Sequence, residues 1–448
     1  MKMSSIPRSA RLFLTLSSAL AVAGVLFLFA VSSAQSTSAD RGAPPGAWRS
    51  KIREPETPTG GWRTARGSHL TEEQQIELNR LESLGYLAGG ASAPSQSGIT
   101  VCDESRSWSG LNLYVSGDSP GARLMDMDGN VLHEWIYSFS DAWPGRSLEF
   151  KYERGAEYWF HAHLFENGDI IGVFNGLGLV KLDKDSNLIW KYTSGSHHHI
   201  HVTDDGRIFT ITREFRLDPR ISTTNKMSGD AIAVLDANGR ELSRVSVLEA
   251  FWNSDYASWL RTGVINAGRQ KIDPFHTNRI VPLDGRLQGR IPAFKEGNVL
   301  LSMRNLNALA VLDMERGEIV WTMSGMWLQQ HCPSVLDNGN ILLFDNQGDY
   351  GSSRILEFDP VTQKIAWLYE GNGEDDFYSE KFGSVQRLPN GNSLIAESHF
   401  GRALEVTPWG DIVWEYYNPA RAGDNNEFIA NLFEIERLPQ DFPTDWLN

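Results

Sequence analysis

The sequence predicts an all-β fold, a six-bladed β-propeller, and three patterns carry that prediction: a sixfold Trp hairpin, a second hairpin set between its copies, and complementary odd strands at the two ends. The first module is a strand, a turn at an acidic residue, and a strand that in most copies carries Trp. Its copies are ARLMDMDGNVLHEW, LVKLDKDSNLIWKY, IAVLDANGRELSRV, LAVLDMERGEIVWTM, ILEFDPVTQKIAWLY and ALEVTPWGDIVWEYY. Their turn residues are Asp126, Asp183, Asp236, Asp313, Asp359 and Thr407, spaced by 57, 53, 77, 46 and 48 residues. Such a period marks a ring or array of small sheets, a little longer than the roughly 40 to 50 residues of familiar blades.

Between these copies lie HAHLFENGDIIGVF, HHHIHVTDDGRIFTI, HTNRIVPLDGR followed by GNVLLSMR, QHCPSVLDNGNILLFD and GSVQRLPNGNSLIAE. Each is a strand, an Asn-Gly or Asp-Gly turn and a strand, the strongest short-range hairpin signal. Joined to the Trp hairpins they make units of four strands. The long interval holds SVLEAFWNSDYASWLRT (246–262), whose apolar residues recur at helical spacing, so a helical insertion is expected near 246–270.

The ends predict closure. GLNLYVS (110–116) is the only plausible strand before the first Trp hairpin, and FIANLFEIERLP (428–439) is an inner strand with nothing after it. Pairing that C-terminal strand with the N-terminal three completes six blades over residues 99–448 and removes exposed sheet edges.

Ahead of the repeats, Lys2, Arg8 and Arg11 precede the apolar run 12–34, with Ser32, Ser33 and Ala34 forming a small-residue cleavage site. This is a signal peptide, or an uncleaved membrane anchor, since about 20 apolar residues span a bilayer. The chain is therefore expected outside the cytoplasm, periplasmic or otherwise exported. Residues 35–69 are expected to be a disordered linker, and residues 70–98 a short amphipathic helix with a Gly- and Ser-rich stop.

The net charge of −15 and pI near 5.2 exclude the basic face that nucleic acid requires. A small anion remains possible, because a local Arg and His cluster holds one inside an acidic protein. Cys102 and Cys332 are the only cysteines. An exported compartment permits a bridge between them, but their spacing carries no signature, and Cys332 reads equally as a small buried neighbour of His331.

Blade symmetry gathers equivalent positions around one channel. The starts of the inner strands carry His161 and His163, then His197, His198, His199 and His201, then His276, then His331. A metal site would use imidazoles with carboxylates, and His197, His199 and His201 would alternate onto one strand face. Against it, no acid recurs beside His276 or His331, and Arg304, at the end of an apolar strand, would repel a cation. A buried guanidinium there calls for an anion. A group-transfer site that needs a neutral His nucleophile, a His proton shuttle and a cationic fork fits better.

The segments TVCDESRSWSGLNLYVSGDSPGARLMDMDGNVLHEW, DPFHTNRI, LLSMRNLNALAVLD, QHCPSVLDNGNILLFDN and FYSEKFGSVQRLPNGNSLIAES, in this order over residues 99–440, resemble the arylsulfotransferase family. The resemblance implies transfer of a sulfuryl group from a phenolic sulfate ester to a phenolic acceptor through a sulfohistidine, with no nucleotide donor, cofactor or metal. It implies the nucleophile at His331, a second channel histidine at His276 acting as proton shuttle, and the sulfate-binding arginine at Arg304. A further histidine of HHHIHV, His198 with His197 as the alternative, would hold sulfate with Arg304, and Ser384 in FGSVQR would add a contact. Where the family pattern often has Asp, this chain has His199. Trp327, Phe377 and Tyr378 are candidates to stack on aryl groups. The competing functions are a noncatalytic propeller that binds a ligand or partner through its channel face, and a metal-dependent hydrolase using the His cluster. Oligomeric state is left open.

Overall fold

The computed structural model describes residues 91–148, 154–224, 226–260, 273–348, 351–371 and 377–447. The targeting segment, the linker, the amphipathic helix up to residue 90 and the end of the helical insertion lie outside these residues. Among the described residues no helix is long and apolar enough to cross a membrane.

The repeat's acidic residue is explained by its turn. Asp126 Oδ1 accepts from the backbone N–H groups of Asp128 and Asn130, Asp183 from those of Asp185 and Asn187, and Asp236 from those of Asn238 and Arg240. Asp313 and Asp359 do the same for the residues two and three positions on, and Thr407 Oγ1 accepts from Asp411 N–H. A short side-chain acceptor thus replaces missing ladder bonds and fixes the hairpin corner.

The Trp has a different use. Trp135 Nε1 donates to Gly168 O, Trp190 to Ala237 O, Trp367 to Pro408 O and Trp414 to Met127 O. Each indole reaches the turn of the following sheet, and the last of these bonds runs from the last Trp hairpin back to the first. Trp135 and Trp414 are fully buried, so each combines apolar burial with a satisfied N–H.

The molecule is all-β with few helical turns. Among the described residues six antiparallel sheets share a four-strand design, and in five of them the four strands are consecutive in sequence. The exception joins Leu432–Arg437 to Asn112–Ser116, then Gly121–Met125 and Val131–Ile136, the C-terminal pairing expected from the sequence. The first strands of the sheets are Leu432–Arg437, Trp159–Leu164, Ser196–Val202, Thr277–Pro282, His331–Val335 and Ser384–Arg387. Each contacts the next in this order, and Leu432–Arg437 contacts both Trp159–Leu164 and Ser384–Arg387. Leu, Ile, Val and Phe of the middle strands fill the space between sheets in several apolar clusters, such as that of Leu343, Leu356 and Phe358 with Leu300 and Val311.

One feature differs from the sequence expectation, and one question it left open is answered. Gly98–Cys102 adds a fifth strand to the last sheet by pairing with Ile412–Tyr417. Cys102 is exposed and Cys332 buried, and both thiols are free, so no bridge joins them. The insertion is helical as expected over Val247–Trp252 and Ala257–Trp259, its first helix capped by Ser246 Oγ accepting from Glu249 N–H.

Candidate active site

The first strands do not run straight into the centre. Ladder register shifts between the partners of Trp159 and Ala162, of His197 and Ile200, of Thr277 and Arg279, and of His331 and Ser334. Left-handed residues stand inside two of these bulges, His198 (φ 58) and Cys332 (φ 49), and directly before a third, His276 (φ 49). Left-handed backbone is costly for side chains with a Cβ and is kept where structure re-aims a group. The bulge splits the HHHIH run. His197 and His198 go to one cluster with His276 and His331, and His199 and His201 to another with His161 and Arg279. The expected alternation of His197, His199 and His201 is therefore broken, and among the described residues no three metal-ligating side chains converge as a coordination set.

A cavity of about 50 Å³ lies between the clusters, lined by His198, His199, Asn278, Arg279, His331, Ser384 and Glu434 among others. That is room for a few waters or one tetrahedral anion. His199 Nδ1, Asn278 Oδ1, Arg279 Nε and Ser384 Oγ, all on this lining, are buried without a hydrogen-bond partner among the described residues. Polar atoms so buried are expected to meet a ligand or water. Gly383 holds the Ser384 corner in place: its φ is +111°, and a Cβ there would stand 2.9 Å from the Phe344 ring.

His331 begins its strand with 8% of its surface exposed. Its Nδ1 is 2.6 Å from Asn346 Oδ1, while Asn346 Nδ2 donates to Ser379 O and Phe382 O. Those two carbonyls fix the amide's orientation, so its oxygen faces the imidazole and His331 Nδ1 must carry the proton. The lone pair of the neutral ring is thereby placed on Nε2. Burial first, then the charges of Arg304 and His276, outweigh the bond to Asn346 and hold the imidazole down at about 3. At neutral pH it is a free base.

Arg304 starts the single turn Arg304–Leu306 after the apolar strand Val299–Met303. Its guanidinium donates to Gln329 Oε1 (2.6 Å) and Asn305 Oδ1 (3.1 Å), and its backbone N–H to His276 O (3.2 Å). Among the described residues no carboxylate comes within 4 Å of this cation, and burial lowers its pKa. His276 Nδ1 is 2.6 Å from Asp273 Oδ2, and Asp273 also accepts from His276 N–H. This corrects the expectation that no acid stands beside His276: Asp273 precedes it by one turn's length and folds back onto the ring. The rings of His276 and His198 lie 4.9 Å apart.

His198 faces the cavity and His197 stands behind it, fully buried, with the two Nδ1 atoms 2.7 Å apart. His198 also abuts Phe160 edge-on at 5.7 Å. Phe160 stacks on Phe433 (4.7 Å, 15°), and Phe382 packs edgewise against both. These three rings line the cavity. Trp327, Phe377 and Tyr378, expected at the mouth, are instead 2 to 4% exposed, Trp327 packing on Phe358 and Phe377 on Phe344 and Tyr369.

The second cluster lies against the same cavity. Arg279 Nη1 donates to Glu434 Oε1 (2.8 Å), Glu434 also meets His161 Nδ1, and the His161 and His199 rings are 4.4 Å apart. Burial pushes Glu434 up, but His161 and Arg279 outweigh it and hold the carboxyl at about 2.

Thus His331, Arg304, His276 and His198 form one group, His197 supports it from behind, and Ser384 lies on the cavity wall. Sequence inspection missed Asn346, Asp273, Asp230 and the three phenylalanines. Asp230 left a signal, an acid inside the otherwise apolar MSGDAIAVL strand, of the same kind that singled out Arg304.

A family model described as Arylsulfotransferase (ASST) matches residues 161–419, which include every one of these polar groups except Glu434. The chain belongs to the arylsulfotransferase family. No curated protein matches it. Similar solved structures include a protein of unknown function from Bacteroides caccae, at 12% identity over 73% of this chain and 98% of that one, with a TM-score of 0.48. A streptogramin B lyase structure is similar at 13% identity over 76% and 88%, with a TM-score of 0.42, and a virginiamycin B lyase from Staphylococcus aureus at 11% over 73% and 86%, with 0.40. At such identities and scores these likenesses say nothing of the site. Membership in the family rests on the matched residues and supports a sulfotransferase acting on small aryl substrates.

Proposed function

We propose that this chain is an exported six-bladed propeller that moves a sulfuryl group from a phenolic sulfate ester to a phenol through a sulfohistidine at His331. The observation that carries the proposal is the pairing of a neutral imidazole, its Nε2 left bare by the Asn346 bond, with a half-buried guanidinium whose side-chain partners among the described residues are amides. The first is a nucleophile and the second wants an anion. Ring closure is supported by the chain-end strand pairing and by the Trp414 bond to Met127. Export is supported by the apolar run 12–34 behind three basic residues.

In the reaction the donor's sulfuryl group enters beside His331, its oxygens reached by Ser384 Oγ on the cavity lining and by Arg304, which stands next to His331 off that lining. His331 Nε2 forms the N–S bond as the S–O bond to the aryl oxygen breaks. Sulfuryl transfer resembles loose phosphoryl transfer, so positioning and charge stabilisation dominate. An imidazole beside the aryl oxygen, His276 or His198, supplies its proton. Phe160, Phe382 and Phe433 form an apolar wall for the aryl ring and keep water from the sulfohistidine.

The test is release of p-nitrophenol from p-nitrophenyl sulfate with and without phenol. Acceptor-dependent release that His331→Ala abolishes is expected. Release that ignores acceptor and stops with chelator would mark a metallohydrolase, and no release a binding module.

A further inference from the structure

We propose that Asp230 and His197 fix His198 as the proton acceptor of the site, so that His198 Nε2 takes the phenolic proton of the incoming acceptor. This rests on the transferase reading and assigns the proton step to one of its two candidate imidazoles.

Asp230 is 1% exposed and lies in the apolar strand Met227–Leu235. Its Oδ2 accepts from Thr277 N–H (2.9 Å), and Oδ1 faces Ser228 Oγ (3.4 Å), His197 Nε2 (3.5 Å) and Arg213 Nε (3.8 Å). Burial pushes this carboxyl up, but His197 and Arg213 outweigh burial and hold it ionised. A carboxylate only accepts, so the nitrogen of His197 that faces it carries hydrogen. At 3.5 Å the pair is an electrostatic contact, yet it sets the tautomer, because a bare nitrogen there would set lone pair against charge. With its hydrogen on Nε2, neutral His197 has a bare Nδ1. The 2.7 Å contact between the two Nδ1 atoms then requires the proton on His198 Nδ1. The free base of His198 is left with its lone pair on Nε2.

Place selects His198 over His276. His198 and His331 line the cavity together, and His198 also touches Phe160 of the aromatic wall, whereas His276 lies off that lining with Arg304, whose backbone N–H its carbonyl accepts, and so belongs to the anion end. His198 is therefore the imidazole at the aryl end. Burial first, then the neighbouring His276, His197, Arg213 and His331, hold it well below the ordinary histidine range. The bulge and left-handed backbone at His198 are what turn it out of the strand while His197 stays behind.

In the transfer half-reaction the phenolic O–H proton passes to His198 Nε2. The phenolate oxygen forms the S–O bond, and the S–N bond to His331 breaks with its electron pair returning to His331 Nε2. In the next donor half-reaction the proton that His198 took up in the preceding transfer passes to the departing aryl oxygen, unless that oxygen leaves as a stable phenolate and the proton goes to solvent. Asp230 and His197 are positioning residues and touch no substrate.

The experiment separates the half-reactions in Asp230→Asn. The burst of nitrophenolate from p-nitrophenyl sulfate, a leaving group that departs without a proton, reports formation of the sulfohistidine. Transfer from preloaded enzyme to phenol reports the base. We expect the burst rate to stay within about threefold of wild type and transfer to phenol to fall by about 100-fold or more, the range of a general base. Transfer to pentafluorophenol, already ionised at neutral pH, should fall by about threefold or less. His197→Phe keeps the ring volume, removes both nitrogens and should give the same pattern if Asp230→Asn does not fold. Equal loss in both half-reactions, or equal loss for phenol and pentafluorophenol, would overturn the relay. A wild-type protein without any burst would overturn the transferase reading beneath it.

Discussion

Replacing Arg304 by Met should separate stability from function. The guanidinium is half-buried and held by two amide oxygens, with no carboxylate within 4 Å among the described residues. Charge-assisted hydrogen bonds contribute about 1.5 to 3 kcal/mol each, while desolvating the cation costs several kcal/mol, so removing both nearly cancels. Gln329 and Asn305 are only half-buried and can turn to water. The expected change is within about 1 kcal/mol, or about 2 °C in melting temperature for a chain of this size. Were Arg304 half of a structural ion pair, its loss would cost about 3 to 5 kcal/mol instead. Activity should behave oppositely, falling by about 100- to 1,000-fold, as when one donor to a developing oxyanion is removed. Thermal melts with and without sulfate complete the assay: at 100 times its dissociation constant sulfate stabilises by about 2.7 kcal/mol, and only wild type should respond. A variant that melts many degrees lower, or that keeps its turnover and its response to sulfate, would refute Arg304 as the anion's holder.

Other outcomes follow from the same geometry. Deleting residues 428–448 removes the strand that pairs with Asn112–Ser116, together with Arg437, which is 2% exposed and bonds Asn112 and Glu405, so the product should aggregate. A soluble truncation with a cooperative melt would contradict closure. Burial first, with nearby cations and imidazoles, holds His163, His197 and His201 at about 4 and His331 at about 3, against an ordinary 6.5. Between pH 6.5 and about 4 the unfolded chain therefore binds more protons than the folded one, so stability should be greatest above that window and fall as pH drops through it, by up to about 1.4 kcal/mol per unit for each such histidine. Denaturant midpoints across pH should show this fall, and His201→Asn should make it shallower by about one proton. An unchanged slope would place His201 outside the group.

The fold was legible because its determinants are local. A strand, a short acceptor at the turn and a strand are written within fifteen residues, and Asp126 through Thr407 act there as the pattern implies. The C-terminal strand was visible as one half of a missing pair. Gly98–Cys102 was not, since its partner Ile412–Tyr417 lies more than 300 residues away and no turn announces the pairing. At the site, charged and titratable residues in apolar strands pointed to His331 and Arg304. What period-two reasoning could not foresee is the bulge at His198, which moves its neighbours off alternation. Nor could composition tell a core aromatic such as Phe377 from a wall aromatic such as Phe433, because each is a phenylalanine beside a strand and only the three-dimensional neighbours differ. Asn346 escaped for a similar reason. Its importance lies in two backbone carbonyls, of Ser379 and Phe382, that turn its amide toward His331.

The central claim is that His331 Nε2 becomes covalently sulfurylated. Intact-mass analysis of the protein after brief exposure to an aryl sulfate, followed by peptide mapping under alkaline conditions that preserve the N–S bond, tests it directly. The account predicts a gain of one sulfuryl group, on the peptide containing His331, that disappears when phenol is added. Turnover without any adduct, or an adduct that maps to another residue, would contradict it.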